Sequence, residues 1–157
     1  MSRGLTRLVV LLIVLAAVIG GFLFWRGQMA VPVVAAGVPL DVAEDRAARI
    51  DDLHYRASFS IPLTKSEPIR GKVTATFNLG DADRALPFDF VQPEDHLTSV
   101  RANGRTLAPR VTNGHVTIPP ALLTAGPNTI EFEFTAGDQS LNRGDDFMYT
   151  LFVPARA

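Results

Sequence analysis

The 157 residues suffice for one domain plus an appendage, since domains commonly hold roughly 100–150 residues. With 15 Lys and Arg against 16 Asp and Glu, the net charge is −1; no broad basic field exists to neutralise a phosphate backbone, and nucleic acid is excluded as a partner. The absence of cysteine excludes disulfides, a thiolate nucleophile, Cys-ligated zinc and a lipid-modified N-terminal Cys.

After Arg3 and Arg7 the chain runs without charge from Leu8 to Trp25. As a helix at 1.5 Å per residue this stretch reaches about 27 Å, close to the thickness of a hydrocarbon core. Leu8, Val9, Leu11, Ile13 and Leu15 make its apolar body, and Phe22 and Trp25 suit the outer interface. It reads either as an uncleaved anchor or as a signal peptide cut near Ala30 or after Val34-Ala35-Ala36. Secretory cores usually hold about 7–15 residues, so the anchor is the expected form. Arg3 and Arg7 then stay cytoplasmic, and the C-terminal domain is exported to the periplasm or the cell exterior on a single membrane pass. The organisation is residues 1–27 as membrane anchor or uncleaved signal, 28–40 as linker and 41–157 as a β domain.

Within that domain Asp41 and Glu44 stand at capping-box spacing, which predicts a short helix from Asp41 to Arg49. The period then changes to two. Leu53, Tyr55, Ala57, Phe59 and Ile61 alternate with His54, Arg56, Ser58 and Ser60, which predicts a strand with one face in the core and one in water, ended by Pro62. Val73, Ala75, Phe77 and Leu79 alternate in the same way, and Ala85 to Val91 gives a third strand with Leu86, Phe88 and Phe90 facing together. Asn103-Gly104 and Asn113-Gly114 are dipeptides that type I′ turns require, because both central residues need positive φ. They divide a meander of Leu97–Ala102, Arg105–Thr112 and His115–Ile118, stopped by Pro119-Pro120. Leu122 to Asn128 makes a turn into a strand whose Ile130, Phe132 and Phe134 point inward. From Phe147 to Val153 nearly every side chain is apolar, the pattern of a strand buried on both faces. The fold class expected is all-β: a sandwich, or saddle-like curved antiparallel or mixed sheets, preceded by one transmembrane helix.

Catalytic chemistry is sparse. His54, His96 and His115 have no partner at metal-ligand spacing, and His54 and His115 read as surface residues. The acidic pairs Asp51-Asp52, Glu94-Asp95 and Asp145-Asp146 point to opposite faces if extended, which suits solvation better than acid–base work. No glycine-flanked Ser elbow occurs. Arg143-Gly144-Asp145 spells an adhesion tripeptide, a three-residue match of low specificity.

The ordered segments LHYRASFSIP, IRGKVTATFNL, VRANG and LLTAGPNTIEFEFTAGDQSLNR, leading into MYTLFVPARA, together resemble the N-terminal domain of aminopeptidase N-type zinc metallopeptidases over about Ala43 to Ala157. The resemblance implies a saddle-shaped, mostly β module on the substrate side, packed against a thermolysin-like catalytic domain. The family's H-E-x-x-H zinc motif, distal Glu ligand, G-A-M-E-N motif and catalytic Tyr lie further along much longer chains and are not in this sequence. The resemblance therefore implies no catalytic residue, no metal ligand and no cofactor in this chain, with zinc expected only in a catalytic domain that is missing or separately encoded. Many relatives carry a Gln that lines the first specificity pocket where this chain has Leu151. An apolar side chain there cannot accept a hydrogen bond from a peptide's ammonium group. A truncated gene is the expected history, ahead of a split enzyme or a stand-alone module. The alternative from another class is an exported β-sandwich that binds carbohydrate or protein, suggested by L-x-x-G-x-N-x-I at Leu123 to Ile130; exposed coplanar aromatics would favour it.

Overall fold

The computed structural model of the chain describes residues 33–137, 141–144 and 146–149. The expected membrane segment with Leu8, Val9, Leu11, Ile13, Leu15, Phe22 and Trp25, and the pocket position Leu151, lie outside the described residues. Among the described residues no helix is long and apolar enough to cross a membrane.

The described fold is mostly β, built from antiparallel sheets with one α-helix. That helix, α1 (Leu40–Arg49), starts one residue earlier than the capping box implied. Pro39 occupies the N-cap without a side-chain hydrogen bond, and its carbonyl accepts from the Ala43 amide at 3.0 Å. Asp41 falls inside the first turn, where its charge complements the helix dipole instead of capping it. Ile50 is already extended (φ −98, ψ 129), so the helix passes directly into β1 (Ile50–Ser60).

Five strands form the main sheet in the order β1, β2 (Ile69–Leu79), β7 (Gly126–Ala136), β4 (Leu97–Ala102) and β5 (Arg105–Leu107). β3 (Leu86–Asp89) and β6 (His115–Ile118), separated in sequence by β4 and β5, pair as an antiparallel ribbon that forms a second layer, and β8 (Asn142–Arg143) and β9 (Met148–Tyr149) form a third sheet. The alternation read from the sequence sets the core. Ala75, Phe77 and Leu79 from β2, Ile130 and Phe132 from β7, and Leu97, Val100 and Ala102 from β4 meet Leu86, Val116 and Ile118 of the β3–β6 ribbon, all buried. Register agrees with this parity, with Ala75 opposite Ile130, Val73 opposite Phe132 and Val100 opposite Phe132.

Both expected type I′ turns form, with φ of 50° and 78° at Asn103 and Gly104 and of 52° and 81° at Asn113 and Gly114. Their side chains do further work. Asn103 donates to Asn128 Oδ1 at 2.9 Å and accepts from the Thr129 amide at 2.8 Å. The buried Asn128 donates to the carbonyls of Thr124 and Gly126, tying the turn before β7 to the β4–β5 hairpin.

Three expectations are corrected. First, β1 is not half-buried: apart from Ile50 every residue of it is exposed. The covering β3–β6 ribbon supplies its apolar residues to β2, β7 and β4, and β1 overhangs beyond them. Second, the described part of the C-terminal apolar stretch is exposed on both faces, with Phe147, Met148 and Tyr149 each more than half accessible. It pairs with β8 and not inside the main sheet. Third, His115 is buried at 2% exposure, because residues before α1 cross over it. Its Nε2 lies 3.1 Å from the Ala35 carbonyl, and Asn113 donates to the Val34 carbonyl at 2.9 Å. The described end of the expected linker is thus fastened to the β6 hairpin.

Candidate functional site: an aromatic groove beside an open sheet edge

The overhang of β1 leaves a groove of about 260 Å³ between the main sheet and β3. Tyr55 of β1, Val73 of β2, Phe132 and Phe134 of β7, and Phe88 and Phe90 line it, with Arg46 and Asp89 at its polar end. Cross-strand register explains the lining. Tyr55, Ala57 and Phe59 stand opposite Ala75, Val73 and Gly71 and so share the core-facing parity, yet they are exposed, with no second layer above them among the described residues. A bulge between Asp51 and His54, with Asp52 at φ 53°, keeps Ile50 on that same face in spite of its odd separation from Tyr55.

The aromatic rings interlock. Phe59 meets Phe134 edge-on at 6.2 Å, Phe134 meets Phe90 edge-on at 5.8 Å, and Phe88 bridges Phe132 at 5.2 Å and Phe77 at 6.2 Å. Gly71 lies between Phe59 and Phe134 in one cross-strand row. A Cβ at Gly71 would stand 2.5 Å from the Phe134 ring, so the absent side chain is what lets that ring lie across β2. Sequence reading marked these phenylalanines as core; their second role as lining follows from a missing cover that no local pattern announces.

The polar end is a chain of polar contacts. Arg46 donates both terminal nitrogens to the Asp89 carboxylate at 3.0 and 3.1 Å, and Asp89 Oδ1 lies 3.1 Å from His115 Nδ1. A carbonyl oxygen only accepts, so His115 donates from Nε2 to Ala35. A neighbouring clamp holds the helix. The buried Arg49 donates to Asp45 at 2.9 Å and to the carbonyls of Asp81 and Arg84 at 3.0 Å, and Arg84 pairs with Asp45 in turn. Asp81 faces Arg49 Nε at 3.4 Å as an ion pair outside hydrogen-bond geometry. Sequence reading missed Arg49, since an arginine at the end of an amphipathic helix carries no mark of burial.

The opposite face of the sheet is polar and internally compensated. Lys72 of β2 lies 3.4 Å from both Glu131 and Glu133 of β7, and hydrogen bonding to Glu133 and then Glu131 raises its pKa above the ordinary 10.5. A wider depression of about 380 Å³ near this face is lined by Ser58, Ser60, Arg70, Lys72, Glu133 and Thr135 among others.

The remaining sequence candidates are dispersed. His54 contacts Asp52 in solvent at 2.9 Å, and His96 Nδ1 lies 2.9 Å from the Thr135 carbonyl. Among the described residues no group of three or more His, Asp or Glu is placed to hold a metal ion. Arg143 of the tripeptide is buried, with its guanidinium donating to the Lys65 and Glu67 carbonyls at 3.3 and 3.1 Å, so it is not presented for adhesion. Phe147 and Tyr149 stack at 6.1 Å with 28° between their planes, both exposed. No family model, curated protein or solved structure matches this chain.

Proposed function

We propose that this chain supplies the non-catalytic, substrate-side β domain of a membrane-anchored metallopeptidase of the aminopeptidase N type, and that the aromatic groove is the face on which the zinc-bearing catalytic domain packs. The observation that carries the reading is the uncovered apolar face of β1: Tyr55 and Phe59 are 62% and 54% exposed at core-facing parity. A domain interface satisfies such a face by burying it, at about 25 cal/mol per Å² of apolar surface removed from water. The resemblance of the ordered segments described above supports the family, and the exposed groove supports this place of contact. Leu151 then leaves recognition of the substrate's amino group to residues of the catalytic domain.

The test is to read the coding DNA for a few hundred codons beyond Ala157, in all frames, for an H-E-x-x-H segment, and to express the joined product. Chelator-sensitive release of N-terminal amino acids, lowered by Tyr55→Glu, is the expected result. Absence of such a segment in the neighbouring DNA, with no partner chain that restores activity, overturns the reading.

The stacked, exposed pair Phe147 and Tyr149 favours a second reading, an exported module that holds a sugar ring against its aromatic faces. Retardation of the full chain in polysaccharide-containing native gels, lost on Phe147→Ala with Tyr149→Ala, is the result that separates this reading from the first.

A further inference from the structure

The main sheet has two edges, and they differ. β5 is three residues long, the short type of edge that resists pairing. β1 is eleven residues long, pairs among the described residues with β2 alone, and carries no proline and no lysine. Beyond the bulge at Asp52, its inward-parity side chains Leu53, Tyr55, Ala57 and Phe59 are all uncharged. Exposures of 42% at Leu53, 62% at Tyr55 and 54% at Phe59 add an apolar face to the unpaired backbone.

We infer that β1 is a homodimerisation edge, joining a second copy of this chain antiparallel about Ala57 into one continuous ten-stranded sheet. The strand is complementary to itself in this register. Tyr55 falls opposite the second copy's Phe59 twice over, Ala57 opposite Ala57, Arg56 opposite Ser58 and His54 opposite Ser60. Aromatic pairs directly opposite one another are stabilising in antiparallel sheets, and like charges are destabilising. Shifting the centre to Arg56 would set two guanidinium groups face to face, and shifting it to Tyr55 would set His54 against Arg56. The Ala57 register keeps both charges beside serines, and it uses the whole flat stretch between the bulge at Asp52 and Pro62. Because the opposite edge is short, pairing through β1 closes on itself as a two-fold dimer and does not propagate. The groove stays open to a further domain, so a paired edge and a covered groove are compatible.

The chain's lack of cysteine makes the register directly readable. Directly opposed residues of an antiparallel pair have Cα atoms about 4.5–5.5 Å apart, within disulfide reach. Single-cysteine versions of the full chain are expressed in membranes and treated with a mild oxidant. Ala57→Cys is expected to give a disulfide-linked dimer as the main product; Arg56→Cys gives several-fold less. His54→Cys and Ser60→Cys cross-link when mixed and not alone. In detergent, Ala57→Lys, a change at an exposed position, is expected to weaken dimerisation at least tenfold in sedimentation equilibrium while leaving the far-ultraviolet circular dichroism unchanged. The inference is overturned by a monomeric wild type, by a dimer that Ala57→Lys leaves intact, which places the contact in another segment, or by preferential cross-linking at Arg56.

Discussion

Arg49 shows how one side chain decides where a secondary-structure element sits. Its guanidinium is 3% exposed and reaches Asp45 on its own helix and the Asp81 and Arg84 carbonyls of the loop before β3. Arg49→Met keeps the apolar stem and removes the donors, which leaves buried acceptors unpaired at roughly 1–3 kcal/mol. The expected outcome is a loss of that order in urea unfolding, with α1 detaching first. Lys72 makes the opposite kind of contribution, at the surface. Its raised pKa means that folding favours the charged form. The stabilisation is therefore fully present below the ordinary value of 10.5 and is lost as pH rises through the higher folded value. Thermal stability of the wild type is expected to fall relative to Lys72→Met as pH climbs past 10.5, and parallel pH curves would refute this.

At the scale of elements, the row Phe59–Gly71–Phe134 couples three strands through one missing side chain. Gly71→Val would drive a branched side chain into the Phe134 ring, which Phe59 and Phe90 hold on either side. Overpacking of this kind costs typically 1–3 kcal/mol. Equilibrium unfolding should show that loss, and Gly71→Val combined with Phe134→Ala should recover part of it. The turns behave differently. Asn103-Gly104 and Asn113-Gly114 were legible in the sequence because the requirement for positive φ at two successive residues is local. The binding of Asn103 to Asn128 was not, since it joins the β4–β5 hairpin to the start of β7, 25 positions along the chain.

At the scale of the whole molecule, stability should follow the layers. β2 and β7 pair with each other over their full length and lie beneath the β3–β6 ribbon, whereas among the described residues β1 has one partner strand and is left exposed. Hydrogen exchange on the full chain should place the slowest amides in β2 and β7. The outward amides of β1 should exchange fast in Ala57→Lys and slowly in the wild type, where a second copy pairs with them. Equal, rapid exchange of those amides in both forms would count against the paired edge.

By itself the sequence determined the parity of the strands, both tight turns and the identity of the residues able to enter a core, because alternation and positive φ are properties of neighbouring residues. Leu97–Ala102 and His115–Ile118 accordingly stand where alternation put them. Only the tertiary structure decided which apolar faces are covered. Tyr55 and Phe59 have the same local pattern as Ala75 and Phe77, yet the former are exposed and the latter buried, because the β3–β6 ribbon is too narrow to reach the first strand. The groove and the open edge are both consequences of that one shortfall, and its cause lies in the sheet order, a long-range arrangement that no window of sequence contains.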